Sequence, residues 1–199
     1  MPAFAGVIVG AGIGWVYGSI LLVLGVLVLL FFRDPNREPL GGSRSILSPA
    51  DGRVVGVEQR AAGHRLAPEA RTRVSIFMSP LDVHVNRSPV DGAVEAVSYT
   101  RGQFGAAYKG DASEINESNA LAVRDARGFR LVVVQIAGWL ARRIVCDVHE
   151  GDALVRGNRF GLIMFGSRVD VYLPDGISVK VAAGERVRAG RSVIAEPNE

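Results

Sequence analysis

The residue pair with the clearest chemical potential in this 199-residue chain is Gly166-Ser167. A serine hydroxyl can attack the carbonyl carbon of the preceding residue and shift the acyl group from nitrogen to oxygen. Glycine favours this attack because it lacks a Cβ, so it tolerates strained backbone angles and leaves its carbonyl open. The hydroxyl is a weak nucleophile at neutral pH and needs a neighbouring base. The pair is therefore a candidate site of self-cleavage, although a Gly-Ser pair alone is typical of an ordinary turn.

His84 is the candidate base for this reaction. It lies in the apolar, strand-like run Val83–Val85, and Asp82 precedes it by two positions. Because residues i and i+2 of a strand face the same side, we expect Asp82 to lie beside the ring and to stabilise its charged form. The other histidines, His64 and His149, are interpreted as surface residues.

The elements that must position these residues are predicted to be mostly β-strands. Short apolar or alternating runs separated by Gly, Asp and Pro indicate strands at 53–57, 74–77, 83–85, 131–137, 144–148 and 168–173. The run 131–137 is continuously apolar apart from Gln135, which predicts a strand buried on both faces. In 168–173, Val169, Val171 and Leu173 share one face, and Arg168, Asp170 and Tyr172 share the other. Residues 102–119 are predicted to be a long loop with at most a short helix. We expect a small β-barrel or sandwich, with a tail that resembles lipoyl carrier domains in architecture only.

The N-terminal segment is apolar, and all charged residues follow it. The first 32 residues carry no charge, and the rest carries the net charge of +3. The run Val7–Phe32 is long enough for one transmembrane helix, and its glycines also allow a helical hairpin. Arg33, Arg37 and Arg44 follow, which predicts that the next domain lies on the cytoplasmic side. We divide the chain into an anchor and linker at 1–36 and a catalytic domain at 37–199.

The charged residues and the single cysteine indicate partners and compartment. Among 23 basic residues, only Lys109 and Lys180 are lysine, and arginine is the better partner for phosphate and carboxylate groups. A basic domain that follows an apolar anchor suggests anionic lipid head groups as partners. Cys146 is predicted to be a buried, inert thiol, and a reducing compartment fits a chain with one cysteine. The sequence contains no cluster typical of metal ligands.

Four stretches taken together resemble one family, the phosphatidylserine decarboxylases, in its short bacterial and archaeal form. They are Ser48-Pro49-Ala50-Asp51-Gly52, Phe77-Met78-Ser79-Pro80-Leu81-Asp82-Val83-His84-Val85-Asn86-Arg87, Gln135-Ile136-Ala137-Gly138 with Ala141-Arg142-Arg143, and Phe160-Gly161-Leu162-Ile163-Met164-Phe165-Gly166-Ser167-Arg168. The resemblance covers the soluble domain almost end to end.

The resemblance implies self-cleavage between Gly166 and Ser167 into parts that end at 166 and begin at 167. Ser167 would then become a covalent pyruvoyl group, and no other cofactor is expected. In the family an aspartate, a histidine and the serine form the self-cleavage triad. The aspartate is either Asp51, in the family-like Pro-Ala-Asp-Gly stretch and slightly preferred, or Asp82. Where the long-form enzymes carry a second histidine, this chain has Arg87, so His84 is expected to serve both self-cleavage and the later proton transfer.

The implied reaction is decarboxylation of phosphatidylserine to phosphatidylethanolamine at the cell membrane. Partners for the lipid phosphate and carboxylate are expected on family-like stretches and beside the catalytic residues. The candidates are Arg142, Arg143, Arg87, Arg168, Lys109 and Asn116. Phe104 and Tyr108 are expected to pack on the lipid or the membrane.

Two other functions are compatible with parts of the sequence. One is a non-catalytic membrane adaptor built on a lipoyl-like barrel, which would have no reason to keep Gly166-Ser167 together with His84. The other is a pyruvoyl-dependent decarboxylase of an ether lipid or of a soluble amino acid. The cleaved parts are expected to stay together as a heterodimer, and a higher oligomer is compatible with the sequence.

Overall fold

The computed structural model describes residues 2–59, 61, 63–102, 116–138, 143–164 and 166–198, with side chains from Trp15 onward. The chain divides into two compact units, Met1–Arg33 and Asp34–Glu199. The division falls three residues before the predicted boundary at position 36.

The first unit is a single helix, α1 (Pro2–Phe31). It contains no acidic residue in its first turn and no basic residue in its last. Arg33, just beyond its end, donates to the carbonyl of Leu30 at 2.5 Å, a C-terminal position at which a cation is favourable. Among the residues whose side chains are described, no helix is both long enough and apolar enough to cross a membrane. The structure therefore does not support the predicted transmembrane span.

The second unit is built of strands, which confirms the prediction of a mainly β domain. The strands are β1 (Ile46–Leu47), β2 (Gly52–Gln59), β3 (Thr72–Met78), β4 (Val85–Arg87), β5 (Gly92–Thr100), β6 (Ser118–Asp125), β7 (Arg130–Ile136), β8 (Ile144–Cys146), β9 (Ala153–Leu154), β10 (Arg159–Ile163), β11 (Ser167–Leu173), β12 (Ile177–Val179), β13 (Arg186–Val187) and β14 (Val193–Pro197). They form an eight-stranded sheet in the order β13-β2-β3-β11-β7-β6-β5-β9 and two three-stranded sheets, β1-β14-β12 and β4-β10-β8.

All three sheets contribute to one hydrophobic core, as in a sandwich. Ile46 and Ile194 come from one small sheet, Phe160 and Ile163 from the other, and Val171 from the large sheet. The large sheet ends at β13 and β9, so in the described part of the chain it does not close into the predicted barrel.

The strand β11 lies in the middle of the large sheet and follows its predicted alternation. Val169, Val171 and Leu173 face the main core. Tyr172, on the opposite face, packs in a second cluster with Ala67 and Ala70. Both faces of β11 are thus buried, as are both faces of its neighbour β7, where the sequence predicted it.

Three local predictions differ from the structure. The strand predicted at 83–85 begins only at Val85, because residues 79–84 form a turn and an irregular segment. The strands β5 and β6 were not predicted, and β6 begins inside the predicted loop 102–119. His64 is not a surface residue: it is half-buried, and its ring centroid lies 5.3 Å from that of Tyr172. Burial, followed by the nearby charge of Arg65, lowers its pKa below the ordinary value.

Candidate active site

The Gly166-Ser167 pair lies where an irregular segment enters the central strand β11. Gly166 has a φ of +61°, in the left-handed region that glycine adopts at little cost, and no heavy atom lies within 4 Å of the position of a Cβ there. Ser167 is fully buried and pairs with Met78 of β3. Its hydroxyl is 3.4 Å from the Met78 sulfur. The carbonyl that the serine must attack therefore belongs to a residue in the left-handed conformation, with open space where a Cβ would lie.

His84 is brought to the same end of the fold by a different pair of strands. Its carbonyl accepts a hydrogen bond from Ile163 N at 3.2 Å, and Val85 pairs with Leu162 of β10. Ile163 lies four positions before Ser167. Met78, which pairs with Ser167, lies six positions before His84. The segments that carry the base and the nucleophile thus lie against each other at two points, and the His84 side chain is 3% exposed.

The ring of His84 is oriented by a backbone carbonyl. Nδ1 lies 2.8 Å from the carbonyl oxygen of Asp82. Because a carbonyl oxygen only accepts hydrogen bonds, Nδ1 carries the proton in this contact. In the neutral ring the basic atom is then Nε2, which is the protonation state a general base requires.

The described contacts of the Asp82 side chain are with residues other than His84. Its Oδ2 accepts hydrogen bonds from Ser79 N at 2.8 Å and from Ser79 Oγ at 2.7 Å. Its Oδ1 lies 3.6 Å from Arg186 Nη1. The carboxylate therefore stabilises the turn at 79–82, and this turn fixes the carbonyl that His84 contacts. Asp82 supports the histidine, but through its backbone.

Asp51 is buried and is held by residues other than His84. The Arg37 guanidinium pairs with both of its carboxylate oxygens, and Ala189 N donates to its Oδ1 at 2.8 Å. These are the described hydrogen bonds of its side chain. His84 is not among these described partners, so the orientation of His84 by Asp51 stays a prediction from the sequence.

A buried row of amide side chains reaches the site and was missed by sequence reasoning. Asn119 donates to Gln135 Oε1 at 3.0 Å, and Gln135 donates to Asn86 Oδ1 at 2.9 Å. Asn86 in turn lies 3.9 Å from the Met78 sulfur. The signal was present, because Gln135 is a polar residue in an otherwise apolar strand and Asn86 lies in a family-like stretch. The row joins β6, β7 and β4 to the residue that contacts Ser167.

Two arginines predicted to bind substrate are instead buried in ion pairs. Arg168 is 3% exposed and pairs through Nε and Nη2 with Asp170 at 2.6 and 2.9 Å. Arg87 is 5% exposed and donates to Asp34 Oδ1 at 2.7 Å and to the carbonyl of Gly157 at 3.0 Å. Burial lowers the pKa of Arg87, and the charge of Asp34 opposes that effect. Neither guanidinium is presented to a ligand in this arrangement.

Arg143 is the described basic candidate that keeps an exposed side chain near the cleavage point. Its carbonyl accepts a hydrogen bond from Met164 N at 3.0 Å, two positions before Gly166. Asn116, another candidate, is buried and donates to the carbonyl of Ala137 at 2.9 Å, so it joins the start of β6 to the end of β7. The remaining candidates, Arg142, Phe104, Tyr108 and Lys109, lie outside the described residues.

A groove of about 600 Å³ opens on the β5–β6–β8 side of the unit and contacts the amide row. Tyr99, Asn119 and Ile144 line it, together with Cys146. Cys146 is half-buried, with its sulfur 3.7 Å from the carbonyl of Val148, so the thiol is less enclosed than the sequence predicted.

The comparison with known proteins points in the same direction as the geometry. The family model described as phosphatidylserine decarboxylase matches residues 24–195. Several curated relatives carry the name phosphatidylserine decarboxylase proenzyme. The relative from Nitrosomonas eutropha is 48% identical over 92% of this chain and 84% of its own length. The relative from Cereibacter sphaeroides is 49% identical over 90% of this chain and 78% of its own length.

A self-cleavage candidate in a mainly β domain and these matches together define the class of protein. The chain belongs to the phosphatidylserine decarboxylase family, to which its sequence motifs were similar. The name of the relatives describes a proenzyme, that is, a precursor that is processed into an active enzyme.

Proposed function

We propose that this chain is a precursor that cleaves itself between Gly166 and Ser167, converts Ser167 into a pyruvoyl group, and then decarboxylates phosphatidylserine to phosphatidylethanolamine. The observation that carries the proposal is the position of the pair: a left-handed glycine directly precedes the first residue of a central strand. The names of the relatives support the substrate and the precursor form.

The self-cleavage uses groups that belong to the chain. The Ser167 hydroxyl attacks the Gly166 carbonyl carbon, and His84 Nε2 accepts its proton. The Gly166–Ser167 amide bond breaks, so that an ester joins the two residues and the serine nitrogen becomes an amine. A base then removes the Cα proton of Ser167 and the Cβ–Oγ bond breaks, which releases the Gly166 carboxylate and leaves dehydroalanine. Water converts this residue to the pyruvoyl group and liberates ammonia.

The fold is suited to a break at this point. From Ser167 onward β11 pairs with β3 over seven residues, and from Arg168 onward it also pairs with β7. The later strands β13 and β14 pair with β2 and β1, which precede the break. The two parts therefore stay joined through sheets and core after cleavage, and the new end at 167 keeps its place. This favours a heterodimer of the two parts.

The residues present fit the requirements of a pyruvoyl group at position 167. When formed, the group supplies an electron sink for loss of carbon dioxide from a bound amino acid. His84, fixed by the Asp82 carbonyl, is the candidate for returning a proton to the substrate carbon. Arg143 is exposed near the cleavage point, and its guanidinium is suited to the lipid phosphate or carboxylate.

We also propose that the protein associates with the membrane through α1, because its substrate is a lipid. Most described side chains of α1 are apolar and exposed, among them Leu21, Leu22 and Leu29 at 69, 70 and 74%. Co-sedimentation with phosphatidylserine vesicles, with and without residues 1–33, tests the association; equal sedimentation would refute it.

The main test is the intact mass of the denatured protein beside Ser167→Ala. We expect two fragments from the wild type, the shorter one blocked to amino-terminal sequencing and lighter by one ammonia than a serine-ended peptide. The alanine variant should stay whole. Product analysis with diacyl phosphatidylserine, its diether analogue and free serine then separates the lipid reaction from its alternatives. A well-folded but uncut wild type would refute the proposal and favour an adaptor.

A further inference from the structure

The carboxylate of Asp51 is held by an arginine from the segment that follows α1. We propose that this arginine, Arg37, is a positioning residue for self-cleavage, which acts by fixing Asp51 and through it the segment that carries His84. The inference rests on the self-cleavage proposed above.

The contacts of Arg37 form a closed, buried arrangement. Its Nη1 pairs with Asp51 Oδ1, and its Nη2 donates to Asp51 Oδ2 at 2.7 Å. Nη1 also donates to the carbonyl of Ala189 at 3.0 Å, while Ala189 N donates to Asp51 Oδ1 at 2.8 Å. The side chains of Arg37 and Asp51 are 8 and 12% exposed. A two-pronged contact of this kind fixes orientation as well as charge.

The sheet connects Asp51 to the nucleophile. Arg53 of β2 pairs with Phe77 of β3, which pairs with Arg168 of β11. By the same register, Gly52, Met78 and Ser167 lie side by side across β2, β3 and β11, and Asp51 directly precedes Gly52. Two strand spacings separate Gly52 from Ser167, or about 10 Å.

The same loop is fastened to the strand that follows the base. The carbonyl of Pro49 accepts hydrogen bonds from Arg87 N at 3.0 Å and from Asn86 Nδ2 at 3.4 Å. Both donors belong to β4, which begins directly after His84. A shift of the Ser48–Gly52 loop would therefore displace the base and its neighbour Asn86 together.

Removal of the guanidinium would leave the Asp51 carboxylate buried without a cation, an arrangement that proteins avoid by local rearrangement. We therefore expect Arg37→Ala to slow self-cleavage by about tenfold or more. Arg37→Lys keeps the charge but not the two-pronged contact, so it should restore part of the rate.

The test measures the half-time of cleavage in freshly synthesised full-length chain for wild type, Arg37→Ala, Arg37→Lys, Asp51→Asn and the Arg37→Ala/Asp51→Asn double variant. If Arg37 acts through Asp51, the double variant should cleave no more slowly than the slower single variant. Arg159→Ala is the matched control, because it removes another arginine that binds this segment, at Asp34, without contacting Asp51. It should cleave at the wild-type rate.

Three results would overturn the inference. The first is that Arg37→Ala cleaves at the wild-type rate. The second is that Arg37→Lys cleaves no faster than Arg37→Ala. The third is that the double variant is slowed by the product of the factors found for the two single variants. Thermal unfolding of each variant identifies any that fails to fold, and Arg37→Lys then decides the question. A wild type that stays whole would instead refute the proposed function, so the two failures are distinguishable.

Discussion

The left-handed backbone of Gly166 leads to a quantitative prediction for Gly166→Ala. The added methyl group meets no heavy atom within 4 Å, so the substitution causes no steric clash. Its cost is the left-handed conformation, about 1–2 kcal/mol for a residue with a Cβ. If the reaction uses this conformation, alanine should populate it about 5–30 times less often, and self-cleavage should slow by about that factor.

The first assay measures the half-time of cleavage of newly synthesised chain from the fraction of intact precursor that remains. The second measures the free energy of unfolding of each glycine variant in a Ser167→Ala background, which cannot cleave. Gly128→Ala is the matched control. Gly128 also has a left-handed φ, of +88°, and no heavy atom within 4 Å of a Cβ, but it lies in the turn between β6 and β7. It should lose a similar unfolding free energy and cleave at the wild-type rate.

The reasoning would be refuted if Gly166→Ala were destabilised like Gly128→Ala and yet cleaved as fast as the wild type. The left-handed conformation would then belong to the folded precursor only and would have no part in the reaction. Slowing of both variants would also count against it, because the effect would then follow stability rather than the position of the carbonyl.

Three further predictions follow from the geometry. Arg143→Ala should raise the KM for phosphatidylserine about 10- to 150-fold with little change in self-cleavage, because loss of a charged hydrogen bond costs about 1.5–3 kcal/mol; steady-state kinetics on mixed vesicles measure this. Arg168→Ala should lower the free energy of unfolding by about 3–5 kcal/mol, because it leaves the buried Asp170 without its two hydrogen bonds from Arg168, while the Arg168→Met/Asp170→Leu variant should recover most of the loss in denaturant titrations. His64→Gln should make the free energy of unfolding less sensitive to acid. The pKa of His64 is lower in the folded protein than its ordinary value of 6.5. As the pH falls below that value, the unfolded chain binds a proton before the folded chain does, so the stability of the wild type falls.

Each of these has a clear contrary result. An unchanged KM for Arg143→Ala would remove it from the substrate site. Equal losses for the single and double variants at Arg168 and Asp170 would mean that shape, not charge, dominates there. A stability difference between wild type and His64→Gln that stays constant from pH 7.5 to 5.5 would contradict the effect of burial on that ring.

The sequence by itself determined the strands whose pattern is local. The alternation in β11 and the apolar run of β7 each reflect which faces are buried, and that information lies within a few consecutive residues. The family-like stretches likewise singled out Gly166-Ser167 and His84 as candidates, because the proposed chemistry requires those residue types in order along the chain. The strands β5 and β6 were missed. At the start of β6 the polar residues Ser118 and Asn119 are buried against β7, and residue type alone does not reveal that burial.

Only the tertiary structure showed which partners the described buried charges have. Arg87 resembled a substrate ligand, but folding brings Asp34, more than fifty positions away, to its guanidinium. Arg168 and Asp170 were predicted to share a face, yet their burial follows from the packing of residues 64–71 over that face. Asp51 was the slightly preferred of two candidate partners for His84, and only the structure shows that its carboxylate pairs with Arg37. An ion pair forms with the opposite charge that lies within a few ångströms, and only the fold determines which charge that is.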